Sequence, residues 1–346
     1  MISPFQFRLR RGIERFVYNL SNQLVRDHSV EITLYVWDIH SKVDWGNWDE
    51  KIIIRKVPYF RFYQKILAQL LYKFWIKLDK PDHILINFLY HGELVLPRKS
   101  NIHYVLHSPS SLIPERYMFI KKEKNNFDNL CFVAVSNNVK EKATPFISPN
   151  QISLIHHGIQ INRFIKKTSY KKHQKLKLIT IAALEKWKGI QDIISVMALE
   201  SINKHFTYDI YGSGPYEDDL KKMVTNLNLN SSVRIMGSIN KVEEVLPNYD
   251  IYCQLSDGEA FGLSIIEAMA CGLPVILYDI PPFNILFPSD KVVKVDRDIE
   301  DDLKLKLLGL LSLDKRENIG LGGLEFVTEN FTAYKMAKEY IKLFNN

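Results

Sequence analysis

Apolar positions along the chain fall into short runs separated by longer stretches of helical period. The runs EITLYVW (31–37), KIIIRKV (51–57), HILINFL (83–89), IHYVLH (102–107), CFVAVS (131–136) and ISLIHH (152–157) have strand length and strand composition. Between them, IERFVYNLSNQLVRD (13–27) and FYQKILAQLLYKFWIKLD (62–79) read as helices, the second ending before Pro81. Strands alternating with helices predict an α/β domain with a mostly parallel sheet. The pattern lapses over KKTSYKKHQKLK (166–177), a basic, polar stretch that reads as a linker. It resumes with LITIAAL (178–184), a helix over GIQDIISVMALES (189–201), YDIYG (208–212), a helix from Tyr216, VRIMG (233–237), DIYCQLS (250–256), a helix over 262–270, PVILYD (274–279) and KVVKV (291–295). The expected organisation is a first α/β domain over 1–165, a linker over 166–177, a second α/β domain over 178–330, and a C-terminal helix over 331–346 packing back on the first domain. Two doubly wound domains facing each other leave a ligand cleft between the carboxyl ends of their strands.

A length of 346 residues agrees with two cores rather than one. Hydrophobic content of 46% and charged content of 25% are those of a globular protein, and no run approaches the ~18 apolar residues of a membrane span. Charge follows a very short apolar start at Met1, so no secretory signal is expected. Cys131, Cys253 and Cys271 lie far apart without metal-ligand spacing and read as reduced thiols of a cytoplasmic protein. The net charge of +7 is uneven: residues 1–175 hold 28 Lys and Arg against 14 Asp and Glu, so the remainder is acidic. A basic first half fits an anionic membrane surface or a phosphorylated acceptor. The 62–79 helix, mixing Phe62, Tyr63, Tyr72, Phe74 and Trp75 with Lys65, Lys73 and Lys77, reads either as a domain helix with its apolar stripe in the core or as a helix lying on a membrane surface. A nucleic-acid partner is not expected, because no recognised binding module is present. Asp296-Arg297-Asp298 reads as an exposed acidic segment rather than a metal site, and the histidines have no metal-ligand spacing.

The densest chemistry lies in EAFGLSIIEAMACGLPVI (259–276). DIYCQLS is a strand, so DGEAFG is the loop at its carboxyl end, where open α/β sheets bind ligands. The helix that starts there offers unpaired N–H groups and partial positive charge, which suit phosphate. Gly262 lets a ligand approach the backbone closely. Glu259 precedes the helix, and Glu267 lies one to two turns inside it, where a carboxylate can accept from vicinal hydroxyls. Two glutamates eight apart carry little information; the composite E-x-F-G-L-x-x-x-E-A-M-A-x-G-x-P-V-I carries much more.

This composite resembles the signature of the retaining glycosyltransferases of family 4, which have the GT-B fold of two Rossmann-like doubly wound domains facing across a cleft. GIERFVYNLSNQLVRDHSVEITLYV, VAVSNNVKEKA, ISLIHHGIQINRF, IAALEKWKGIQDII, IYGSGPYEDDLKKM and VRIMGSI extend the resemblance over nearly the whole chain. It implies a metal-independent, retaining transfer of sugar from a nucleotide-diphosphate sugar, UDP- or GDP-linked, to a hydroxyl of a glycan or lipid-linked acceptor, in envelope or exopolysaccharide synthesis at the inner face of the membrane. By the same resemblance Glu259 lies near the transferred sugar and Glu267 binds the ribose. The backbone of Phe261, Gly262 and Leu263 cradles the diphosphate, and Lys188 neutralises it. Gly12 belongs to the glycine loop that approaches the phosphates from the first domain. His107 stands on the acceptor side, and the backbone near Gly237 meets the base. Cations and N–H groups suffice for a diphosphate leaving group, so no cofactor and no metal are expected. Two departures stand out. Ala183 occupies the position of the family's arginine, with Lys186 the nearest replacement, and the first strand is short, opening at Met1-Ile2-Ser3-Pro4 ahead of a loop, Arg10-Arg11-Gly12 flanked by Arg8, with a single glycine. They motivate the alternative of a catalytically weak, nucleotide-sugar-binding subunit; another GT-B enzyme, such as a nucleotide-sugar epimerase, is the rival activity.

Overall fold

The structure, a computed structural model, describes residues 1–3, 12–28, 30–38, 48–58, 64–87, 100–108, 129–167, 170–171, 173–299 and 301–345. Arg8, Arg10, Arg11, Phe62 and Tyr63 lie outside the described residues, as does the Lys65 side chain. Contacts divide the chain into two units, residues 1–158 with 333–346, and residues 159–332.

In the first unit, strands β1 (Ile2–Ser3), β2 (Thr33–Asp38), β3 (Ile53–Pro58), β4 (His83–Ile86), β5 (Asn101–Leu106), β6 (Asn129–Ala134) and β7 (Ile152–Leu154) form one parallel sheet in the order β3-β2-β1-β4-β5-β6-β7. Strands β4 to β6 are buried on both faces, which is why they read as continuous apolar runs instead of alternating ones. The Gly12–His28 helix buries Phe16, Val17, Leu20 and Leu24. The C-terminal Ala333–Phe344 helix buries Ala333, Met336, Ala337 and Tyr340, and it packs against Gly12–His28, with the Phe16 and Tyr340 rings 6.0 Å apart. Burial at i, i+3, i+4 and i+7 is the amphipathic stripe of a surface helix.

The Gln64–Asp79 helix has a covered face and an open one. Tyr72 is buried against Tyr35, and Trp75 stacks half-buried on the same ring, so these two aromatics serve the core. Leu70, Phe74 and Leu78, each about 60% exposed, form the outer face with Lys73 and Lys77. Helical spacing separates the two sets, because residues 72 and 76 point away from 70, 74 and 78.

In the second unit, β8 (Leu176–Ile181), β9 (Phe206–Tyr211), β10 (Val233–Gly237), β11 (Ile251–Gln254), β12 (Val275–Tyr278) and β13 (Val293–Val295) form a parallel sheet in the order β10-β9-β8-β11-β12-β13. This is the doubly wound order of dinucleotide-binding domains, and its switch point lies between β8 and β11. The helix expected over 189–201 is two helices, Ile190–Met197 and Glu200–Asn203. Leu199 leaves the helical region, its carbonyl accepts from Ile202 and Asn203, and Ile202 becomes fully buried. The basic stretch after residue 165 runs with this unit. Tyr170 is buried and donates to the Gly272 carbonyl, and the buried Arg316 guanidinium donates to the carbonyls of Leu310, Leu311 and Lys171.

Candidate active site

In the second unit the two segments that leave β8 and β11 meet at the switch point. After β8, the turn Lys186–Lys188 ends on Gly189 at φ +68°. A Cβ at Gly189 would lie 1.7 Å from the Leu255 carbonyl oxygen, so only glycine lets the turn sit against the end of β11. Asp257 N–H donates to the Trp187 carbonyl at 2.7 Å and ties the same two segments together. Lys188 Nζ therefore pairs with Glu259 Oε1 while lying 4.0 Å from the centre of the Trp187 ring. The two side chains are only 12% and 15% exposed, so the pair is largely out of water.

Glu259 has further partners. Gln254 Nε2 donates to its Oε1 at 3.2 Å and Ser256 Oγ at 3.3 Å. Gly262 then opens the Leu263–Ala270 helix at φ +93°, and Gly272, at φ +77°, closes it. Gly272 N–H bonds to the Met269 carbonyl and Leu273 N–H to the Ala268 carbonyl, a Schellman ending that turns the chain into β12. Ile265 and Ile266 N–H bond to the Gly262 carbonyl, while the Leu263 and Ser264 N–H groups ahead of them have no carbonyl four residues back within the helix, an arrangement that suits an anion. Glu267 is buried on the helix. Burial, with Glu267 as the next cause, pushes the Cys271 thiol up to about 12. Phe261 is buried, its ring edge-on to Phe331. Gly237 ends β10 at φ +75°, with no atom within 4 Å of where a Cβ would be, and its carbonyl accepts from Gly212. Ala183 is half-buried and uncharged, and Lys186 is exposed.

Lys188 and Glu259 are thus in contact, and Phe261, Gly262, Leu263 and Glu267 share one loop and helix start. Gly12 and His107 belong to the first unit. Gly12 is exposed at the start of its helix. His107 follows β5, buried, with Nε2 donating to Asn87 Oδ1 at 3.0 Å. Its ring stacks on His157 at 5.5 Å and meets the edge of Phe16 at 4.9 Å. Burial pushes the His107 imidazole down to about 3 and the His157 imidazole well below its usual value.

Both rings are therefore neutral when folded and gain protons on unfolding. A histidine depressed in this way leaves stability intact above the unfolded pKa of about 6.5, and the stability is lost as pH falls below it. His107 alone is expected to cost the first unit ~2 kcal/mol between pH 7 and pH 5. His107→Gln should flatten the dependence of the thermal midpoint on pH over that window; an unchanged slope would show that the ring is not held neutral.

Sequence reading passed over Asn87, Gln254 and Ser256. Gln254 was visible as a polar residue inside the apolar run DIYCQLS. Trp187, beside the conspicuous lysine, had no signal of its own. Asp296 and Asp298 are linked by a backbone N–H bond at 2.9 Å, and Arg297 pairs with Asp257 at 2.8 Å. Among the described residues no group of three or more His, Cys, Asp or Glu side chains is disposed to hold a metal.

Two Rossmann-like parallel sheets with this strand order define a GT-B fold. The Anabaena protein HepE (Alr3699), solved with UDP and glucose, superposes on the whole chain with a TM-score of 0.81 at 15% identity, covering 98% of that chain. Residues 162–320 match the family model described as Glycosyl transferases group 1. It is 32% identical over 150 residues, 43% of this chain, to the GtfA subunit of a UDP-N-acetylglucosamine–peptide N-acetylglucosaminyltransferase from Limosilactobacillus reuteri, covering 28% of that protein. It is 26% identical over 210 residues, 58% of this chain, to the O-antigen biosynthesis glycosyltransferase WclY of Escherichia coli, covering 57% of it.

Proposed function

We propose that the protein is a glycosyltransferase that takes a sugar from a nucleotide-diphosphate sugar and passes it, with retention and without a metal, to a hydroxyl of a glycan or lipid-linked acceptor. The observation that carries this reading is the Lys188–Glu259 pair beside the Gly262 helix start, at the switch point of a group 1 glycosyltransferase domain. Cleavage of a sugar–phosphate bond leaves a diphosphate dianion and an oxocarbenium-like sugar. Lys188 and the first-turn N–H groups of the Leu263–Ala270 helix answer the dianion, Glu259 the sugar and Glu267 the ribose. The leaving phosphate can take the acceptor's proton, so no protein base is required. The relatives' names, an N-acetylglucosaminyltransferase subunit and an O-antigen glycosyltransferase, favour UDP-linked donors and a role in glycan or envelope synthesis.

The test is hydrolysis of UDP-, GDP- and ADP-sugars in the presence of EDTA, with the released anomer read by NMR. Release of the retained anomer supports the reading. Nucleotide binding without turnover in any acceptor extract would instead favour a binding subunit.

An anionic membrane surface is the proposed place of work. Support comes from the Leu70, Phe74 and Leu78 face, flanked by exposed Lys73, Lys77 and Lys80. Asp79, the acidic residue of that helix, is held by Arg55 and Tyr35 and its charge is already answered. Apolar side chains at the interface with lysines beside them suit a helix lying on anionic lipid. The protein is expected to sediment with phosphatidylglycerol vesicles at low salt, less at high salt, and less again as Phe74→Ser. Failure to sediment at low salt removes the membrane from the proposal.

A further inference from the structure

The Lys188–Glu259 pair joins the cation assigned to the diphosphate to the carboxylate assigned to the sugar. Donor binding then requires Lys188 to pass from Glu259 to the phosphates. A carboxylate that is 15% exposed loses its counter-charge in that exchange. Breaking one side of a largely buried pair is costly unless other donors stay in place. Two do: the Gln254 amide at 3.2 Å and the Ser256 hydroxyl at 3.3 Å.

Gln254 is built for this. It lies in β11 at 1% exposure, among buried neighbours. Its Oε1 accepts from Tyr252 OH at 2.8 Å and from Ser264 Oγ at 3.4 Å. Its Nε2 donates to Ser256 Oγ at 2.7 Å as well as to Glu259. The Glu259 carboxylate only accepts, so it sets the amide with its NH2 group toward Glu259 and its oxygen toward the Tyr252 and Ser264 hydroxyls; the reverse orientation would set a carbonyl against a carboxylate. Ser264 sits in the first turn of the helix assigned to the diphosphate, so the amide links that turn to Glu259. A buried amide with both ends engaged is rigid, and replacing it leaves its partners unsatisfied.

We propose that Gln254 is a positioning residue for Glu259, which keeps that carboxylate partnered and aimed while its lysine is handed to a nucleoside diphosphate. The inference rests on the nucleotide-sugar reading and deepens it. It makes the ion pair of the ligand-free site an exchange step: the diphosphate replaces Glu259 on Lys188, and Gln254 with Ser256 replaces Lys188 on Glu259.

The exchange can be measured without turnover, by calorimetric titration of UDP, GDP and ADP. Wild-type protein is expected to bind at least one of them. Gln254→Met should bind the same nucleotide about tenfold more weakly, because the departing lysine leaves Glu259 with fewer donors. Glu259→Gln should bind it several-fold more tightly, because Lys188 starts free. In the double variant Gln254→Met should add no further loss, since its effect runs through the Glu259 charge. A wild-type affinity in Gln254→Met, or a loss that persists undiminished in the double variant, overturns the proposal. If Gln254→Met does not fold, Ser256→Ala carries the same test through the second donor, with about a threefold loss expected and an unchanged affinity counting against it. Absence of binding to all three nucleotides by the wild-type protein defeats the nucleotide-sugar reading itself, and this inference with it.

Discussion

Lys188→Ala is expected to lower donor cleavage about 10²–10³-fold, the usual cost of removing one preorganised charge or donor from a developing oxyanion. The effect is expected at the upper end because position 183, next to the same turn, carries an alanine and no second cation. Affinity for the nucleoside diphosphate should fall as well, since Lys188 meets the phosphates in the ground state and in the transition state alike. Lys186→Ala, at an exposed position of the same turn, should change the rate by less than about threefold. Steady-state hydrolysis rates for the two variants, with nucleotide titrations beside them, check this. A Lys188→Ala enzyme within threefold of wild type would mean that another cation serves the diphosphate, with Lys186 the first to examine.

Gly189→Ala is expected to cost the second unit at least ~3 kcal/mol, the sum of left-handed backbone strain and a collision with main chain. The collision is with the Leu255 carbonyl oxygen, 1.7 Å from the added Cβ, and no flexible side chain is there to yield. For a unit of this size that corresponds to a fall of roughly 6–12 °C in thermal midpoint. Gly258→Ala is the control: a Cβ there meets nothing within 4 Å and φ is not positive, so stability should change by no more than ~0.5 kcal/mol and the midpoint by no more than about 2 °C. Equal midpoints for the two variants would show that the Lys186–Lys188 turn is not pinned to the end of β11. Any surviving Gly189→Ala protein should also lose the Lys188–Glu259 contact, because the same turn positions both the glycine and the lysine.

Much of the fold was legible from local pattern. Strands buried on both faces write themselves as apolar runs, so β4 to β6, β9, β11 and β12 lie within a few residues of their expected places. The ending at Gly272 was legible for a local reason too, since a positive φ after a helix favours glycine. The covered face of the Gln64–Asp79 helix was left open because a helix that mixes aromatics and lysines has two candidate outer faces, and only the contact of Tyr72 and Trp75 with Tyr35 shows which is covered.

The site divides in the same way. Sequence by itself singled out the glutamates and the glycine-opened helix, because these sit in one continuous motif; Lys188 and the departure at Ala183 were singled out by the resemblance of IAALEKWKGIQDII to the family. Only the tertiary structure decided that Lys188 and Glu259, 71 residues apart, form an ion pair, and that Gln254 stands behind it. The physical reason is that a parallel sheet brings β8 beside β11 across the intervening chain, and no local periodicity records which loops meet there. A glutamine inside an apolar strand is only an anomaly in the sequence. The carboxylate that orients its amide, and the Tyr252 and Ser264 hydroxyls at its other end, come together only in the folded chain.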